Sequence, residues 1–459
     1  MNRIHTTRRT ILKALGASVA LPYLSRHAFA QEADLAPYQA AKINWRQAEG
    51  ENITVAVIPA AYFENLIQLA PQFTALTGVN VRFEKVPPAQ IRQKVVLDLT
   101  SGTATYATHA ADPMYYPLYQ ANGWVEDLNP YLENPDLTDK DWFNVGDIVP
   151  AWLSANSIDG KVYGIPYDGE VTLQVLRKDL LEAKGLKPAD DLEAFVANAR
   201  ELHAPDSRIW GTALRGVAGA GQNVYIYSSI FRSFGGNWFA GDKLTVNGAE
   251  AEAALAWYVD TMKSYAPAAA QNWNWPDIAD AFSQGTVASY IDAHSSASVI
   301  NNPEKSQVIG KIAYARWPKG PSGKRVSSIW NWGFPINAKL TDAQKKATWL
   351  FIQWAASAET QARTSYAFEG PTKRSGVNRI SLWGDQKYID TVSQFGDNFV
   401  EATLSALQED TDVDWRPRVP QWPAVGDAVA TAVAAALAGQ ASPKDALDAA
   451  QQRVEGFMK

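Results

Sequence analysis

The chain of 459 residues contains no cysteine, so it has neither a disulfide framework nor a thiol for a lipid anchor, and its stability must come from packing. Histidine is scarce as well. His5 and His27 fall in the first thirty residues; His109, His203 and His294 are scattered, without the His-Glu-x-x-His or paired spacing of a metal centre, so no metal and no cofactor is expected. There is no Gly-x-Ser-x-Gly elbow and no Walker-type phosphate loop. The glycine-rich stretch 216–221 lacks the Lys-Ser/Thr ending and reads as a flexible loop. No apolar run reaches the roughly 20 residues of a bilayer-crossing helix. Basic charge is in deficit too, with 42 Lys and Arg against 48 Asp and Glu, which argues against nucleic acid as a partner, because neutralising phosphates takes a basic surplus.

What is present begins at the N-terminus. The first thirty residues hold five Lys and Arg and no acid, then a modestly apolar run over 14–24 and a small-residue ending at Ala28-Phe29-Ala30, which is the form of a secretory leader. Thr7-Arg8-Arg9-Thr10-Ile11-Leu12-Lys13 resembles the twin-arginine type, with Thr7 where serine is usual and Ile11 where phenylalanine is usual. Removing residues 1–30 leaves 37 basic residues against 48 acidic, a formal charge of −11. The remaining chain is long enough for two domains with a core each. An exported chain with no membrane span and no lipid anchor is expected as a soluble, monomeric protein of the periplasm.

From residue 52 the pattern alternates. Ile53-Thr54-Val55-Ala56-Val57-Ile58 reads as a buried strand ended by Pro59. Phe63, Leu66, Ile67, Ala70, Phe73 and Leu76 then recur at helical spacing until Gly78 stops the helix. A second strand over 79–86 and a second helix opened by Pro88, with Ile91, Val95 and Leu99 on one face, complete a β-α-β-α order. Such an α/β order implies a parallel sheet with right-handed crossovers, and these sheets bind ligands beyond the carboxyl ends of their strands. Those ends fall at 59–64 and 110–116.

Asp159-Gly160-Lys161-Val162-Tyr163-Gly164-Ile165-Pro166-Tyr167-Asp168 has the chemistry of a hinge: a turn dipeptide, a permissive glycine and a stiffening proline before a strand. By residues alone an ordinary hairpin fits equally. Four segments follow in order: Leu176-Arg177-Lys178-Asp179-Leu180-Leu181 with Lys184-Gly185-Leu186, then Ala281-Phe282-Ser283-Gln284-Gly285-Thr286-Val287-Ala288, then Trp330-Asn331-Trp332-Gly333-Phe334-Pro335-Ile336-Asn337, and last Ser442-Pro443-Lys444-Asp445-Ala446-Leu447. In this order and spacing they resemble the extracellular solute-binding proteins of bacterial ABC importers, in the large family that takes sugars and polyols. The sequence departs from that family at Pro188-Ala189-Asp190-Asp191-Leu192, where a Thr-Trp pair is usual. The resemblance implies a two-lobed, type II-like α/β fold, each lobe a mixed, mostly parallel sheet flanked by helices. Lobe 1 is expected at 46–166 plus 314–358 and lobe 2 at 167–313 plus 359–459. It also implies a binding protein rather than an enzyme, with an inner-membrane ABC permease as its partner.

A cleft for sugars or polyols needs aromatic plates for C–H faces and forked polar groups for hydroxyls. The 17 tryptophans include tight groups with polar neighbours, and from these Trp238, Trp275, Trp330, Asn331 and Trp332 are taken as ligand-facing candidates. In Trp-x-Trp both rings of a strand share one face and the central Asn takes the other. Trp210, Trp257, Trp349 and Trp354, among apolar neighbours, read as core. Position at strand ends and crossings adds Phe63, Asp112, Tyr167, Glu170, Arg215, Asp292, Glu369 and Arg374. A secreted glycoside hydrolase would also want aromatics and two carboxyls across a cleft, but eight β-α repeats or a jelly-roll pattern are missing. The same fold holding a charged solute such as a polyamine would need excess acid in the cleft.

Overall fold

The computed structural model describes residues 34–458 apart from 220 and 367–373; the first thirty residues, expected as a leader, and Glu369 lie outside the described residues. Lobe 1 is built as its pattern dictates. Strand β1 (Asn52–Val57) is followed by helix α1 (Ala61–Thr77), which Gly78 closes in the left-handed conformation at φ 73°. Strand β2 (Asn80–Lys85), helix α2 (Pro88–Ser101) and the short β3 (Thr108–His109) follow. The sheet order is β2-β1-β3, all parallel, in register from Asn52↔Asn80 to Val57↔Lys85 on one side and Val55↔Thr108 on the other. Beyond a helix α3 (Pro150–Ala155) comes β4 (Ile165–Arg177), thirteen residues long and buried along nearly its whole length.

Strand β4 joins the lobes. Its first half belongs with lobe 1: Ile165 and Tyr167 pack with Val55, Phe63, Phe73 and Phe351. Its second half enters a different core, where Val171, Leu173 and Val175 meet Ile226, Phe231, Trp317 and Val433. Helix α4 (Asn223–Ser233), β5 (Ser289–Ala293) and β6 (Ile312–Ala315) build lobe 2, with β5 and β6 both antiparallel to β4. Parallel pairing builds the sheet of lobe 1, and in lobe 2 it appears as the bridges Trp210↔Val287, Ala213↔Tyr290, Asp191↔Lys319, Ala313↔Asp397 and Ser327↔Thr411. The chain returns to lobe 1 along β7 (Ile329–Phe334), antiparallel to β4. The boundary expected at 314 therefore moves to β7: Trp317, Val326 and Ile329 sit in the lobe 2 core and Phe334 in that of lobe 1. Strand β6 carries no sequence sign of its lobe; pairing with residues 174–177 decides it.

The expected end of lobe 1 at 358 shifts as well. After α5 (Asp342–Ala356), helix α6 (Ala358–Tyr366) still docks on lobe 1, with Thr360 bonded to the Tyr38 hydroxyl at 2.9 Å and the Thr364 carbonyl accepting from Asn65 at 2.8 Å. A third passage follows, where Val377 bridges to Asp168. Trp349 and Trp354 are fully buried, Trp210 packs on His203 and Trp257 on Phe195. Asp191, in the segment that departs from the family pattern, caps the helix Leu192–Leu202 through the Ala194 N–H at 2.8 Å. No helix among the described residues is long and apolar enough to cross a membrane.

Candidate functional site

The ladder between β4 and β7 puts two carboxylates beside two indoles. Glu170 lies opposite Trp330 and Asp168 opposite Trp332, so the four side chains share one face. On the reverse face are Gly169 and Asn331. A Cβ on Gly169 would stand 2.2 Å from the Trp152 ring of α3, so only glycine lets that indole lie flat against the strand. Asn331 is fully buried there, accepting from Asn156 at 2.9 Å and donating to the Trp152 carbonyl at 3.3 Å. It braces the strand and does not face the same side as the two tryptophans.

Lobe 1 contributes the carboxyl ends of its strands. Tyr62, in the first turn of α1, lies by Trp332. Arg92 of α2 pairs with Asp112, beyond β3, at 2.5 Å, and its guanidinium lies 5.7 Å from the centre of the Trp330 ring and 6.0 Å from that of Trp332. Asp112 also accepts from the Met114 N–H at 3.0 Å, which fixes the turn after the strand.

Lobe 2 answers from the other side. The buried Arg215 forms a two-pronged pair with Asp292, Nε to Oδ2 at 2.8 Å, and lies 4.6 Å over the Tyr225 ring. Tyr225 meets Trp330 edge-on at 5.9 Å. The Ser295 hydroxyl donates to the Glu170 carboxylate. Arg215 also donates to the Gly221 carbonyl at 3.1 Å, and the Gly221 Cα faces Trp330, Arg92 and Met114, so the glycine-rich loop of lobe 2 reaches lobe 1.

Burial dominates the electrostatics. It raises the Glu170 carboxyl to about 7, against the bond from Ser295 and the charge of Arg215, with Asp292 and Asp168 adding to the rise. It raises Asp168 to about 6 against the attraction of Arg374. Between 4.5 and about 7 the folded chain therefore keeps a proton on Glu170 that the unfolded chain releases, so the stability Glu170 lends is present at low pH and is lost as pH rises through 7. The melting temperature of wild type relative to Glu170→Gln is expected to fall from about pH 5 to about pH 8. A difference that does not change with pH in thermal melts would show a carboxylate that stays ionised.

The other expected site residues divide. Phe63 is fully buried, stacked on Tyr167 at 5.4 Å within the lobe 1 core; the helical turn presents its neighbour Tyr62 instead. Tyr167 is likewise buried, its hydroxyl donating to the Tyr62 carbonyl at 2.9 Å and its ring covered by Arg374 at 4.2 Å. Arg374 is taken up by Asp168 at 2.8 Å and Thr364 at 2.8 Å, and so ties the third passage to the first. Trp238 is in the lobe 2 core between Phe231 and Trp422, donating to the Trp415 carbonyl at 2.9 Å. Trp275 begins a helix and is 39% exposed. The structure therefore gathers Asp112, Glu170, Arg215, Asp292, Trp330 and Trp332, and gives Phe63, Tyr167, Trp238, Trp275, Asn331 and Arg374 other surroundings. Tyr62, Arg92, Asp168, Tyr225 and Ser295 were not legible as site residues. Arg92 had a signal, because it follows the carboxyl end of β2. Among the described residues no group of three or more His, Asp or Glu could hold a metal ion.

Known proteins of similar sequence and shape share this arrangement of lobes. Residues 59–362 match the family described as bacterial extracellular solute-binding proteins. An erythritol/L-threitol-binding protein of Mycolicibacterium smegmatis is 26% identical over 438 residues, covering 89% of this chain and 91% of that one. A mannitol-binding protein of Pseudomonas aeruginosa is 26% identical over 388 residues, covering 80% and 84%. Among solved structures, an ABC transporter solute-binding protein of Agrobacterium radiobacter in complex with ribitol superposes with a TM-score of 0.80 at 25% identity, over 89% of this chain and 99% of that one.

Proposed function

Since the chain belongs to the bacterial extracellular solute-binding proteins, we propose that it closes its two lobes on a neutral polyol or small sugar and hands it to an inner-membrane ABC permease. The observation that carries this is the shared face of the β4–β7 ladder, where Trp330 and Trp332 stand beside Glu170 and Asp168. The rings supply a surface for C–H groups. Around them, carboxylates and guanidiniums supply acceptors and donors in forks that match vicinal hydroxyls. Both the erythritol/L-threitol- and the mannitol-binding relatives are named for linear polyols, which favours a polyol over a long oligosaccharide. A polyamine finds less support, because Asp112, Asp168 and Asp292 are each already paired with an arginine, and burial raises the Glu170 carboxyl to about 7, which leaves it only partly ionised at neutral pH.

In this reading the purified protein binds without chemistry. A thermal-shift screen over polyols, sugars and polyamines is expected to pick out a linear polyol, with about 2.7 kcal/mol of added stability at a hundred times its dissociation constant. Chromatography should return the solute unaltered. Turnover that disappears in Glu170→Gln would move the assignment to a hydrolase.

We propose export to the periplasm through the twin-arginine route and action there as a monomer. Replacing Arg8 and Arg9 together by lysine is expected to leave precursor in the cytoplasm, read by fractionation and immunoblot. Normal arrival of the variant in the periplasm would assign the general secretory route instead.

A further inference from the structure

The two arginines gathered in the site come with carboxylates of their own, the partly buried Arg92 with Asp112 and the buried Arg215 with Asp292. Arg416 differs. It is 3% exposed, and its Nε and Nη1 have no hydrogen-bond partner. Its guanidinium lies 5.3 Å from the Trp415 ring. Trp415 meets Tyr225 edge-on at 5.5 Å, and Tyr225 meets Trp330 at 5.9 Å, so this line of rings ends on the ladder face. Asp112 of lobe 1 does most to favour the charge, yet Arg92 already holds that carboxylate at 2.5 Å. The Tyr225 hydroxyl lies beside the Glu170 carboxyl, which ties Tyr225 to the ladder face.

Burial lowers the Arg416 guanidinium to about 9, which still leaves it cationic at neutral pH. An unpaired buried cation is costly, and the cost is relieved when an anion or several acceptors come into reach. A guanidinium is planar and presents its N–H groups in pairs, a geometry that fits two oxygens on one carbon, and its bonds to a carboxylate are roughly twice as strong as those to neutral acceptors.

We propose that Arg416 receives an anionic end of the solute, so that the cleft takes an aldonate, a polyol chain carrying a terminal carboxylate, alongside the neutral polyol. The inference rests on the polyol reading, since an aldonate keeps the hydroxyl chain that the Trp330, Trp332 and Glu170 face would hold. One negative charge on the solute meets a buried arginine that has no carboxylate of its own among the described residues.

Isothermal titration of the mature protein at neutral pH with D-mannitol and D-mannonate, and with ribitol and D-ribonate, tests this. Each aldonate is expected to bind at least as tightly as its polyol. In Arg416→Gln aldonate affinity should drop about tenfold or more, with polyol affinity changing less than about threefold. The melting temperature of ligand-free Arg416→Gln should not fall, because the variant removes an uncompensated charge. Arg416→Lys, which keeps the charge and most of the stem, should weaken aldonate binding by an intermediate factor, and it carries the comparison if the glutamine variant does not fold. Wild type that binds polyols and rejects aldonates overturns the proposal and leaves the polyol reading standing. Equal losses for both solute classes in the variants overturn it too, as does aldonate affinity unchanged in both. Wild type that binds neither class overturns the polyol reading with it.

Discussion

Asp292→Ala is expected to lose about 3–5 kcal/mol of stability, the effect of leaving a buried charge without its partner. Arg215 has a side chain only 5% exposed and lies between Asp292 and the Tyr225 ring, so no water takes over when the carboxylate goes. The Arg215→Met, Asp292→Ala double variant should recover much of that loss, because a buried pair replaced by apolar groups is often nearly neutral. It should not recover ligand binding. Urea denaturation and titration calorimetry on the three variants separate the two effects. A loss under about 1 kcal/mol for Asp292→Ala would mean that the pair does not hold the guanidinium in place.

Trp332→Ala is expected to weaken polyol binding by about 1–3 kcal/mol with a smaller change in stability, and Trp330→Ala to cost about 3–5 kcal/mol of stability. The two rings differ in surroundings. Trp330 is 6% exposed and wedged by Tyr225 and Gly221, whereas Trp332 is only partly buried, with Arg92 and Tyr62 as neighbours. Melting temperature and affinity measured on both variants give the answer. A Trp332 variant that melts far below wild type yet binds normally while folded would take that ring out of the site.

How far the site could be read ahead follows the same line. The spacing of Trp330-Asn331-Trp332 already sets the two indoles on one face and the amide on the other, because side-chain direction alternates along any strand. What the spacing cannot say is which residues stand opposite. Glu170 and Asp168 come beside the indoles through a register set by an irregularity between Trp332 and Gly333, 160 residues on from the partner strand. Phe63 shows the same limit on a helix: the apolar stripe placed it correctly on a buried face, and that burial is why Tyr62, one position away, meets the cleft.

The lobe boundaries divide likewise. Local chemistry alone determined the parallel unit of lobe 1, since Pro59, Gly78 and Pro88 punctuate a periodic pattern, and short-range rules suffice for elements joined by tight connections. The absence of cysteine, of paired histidines and of a basic surplus was equally plain in composition. Only the tertiary structure decided that residues 314–329 stay with lobe 2, that Arg374 and Tyr167 serve the passage between lobes, and that Arg416 faces Asp112 without a carboxylate of its own. The physical reason is that ion pairs and strand pairings join residues far apart in the chain, and whether a charge is paired depends on the burial and geometry of both partners, which no local pattern contains.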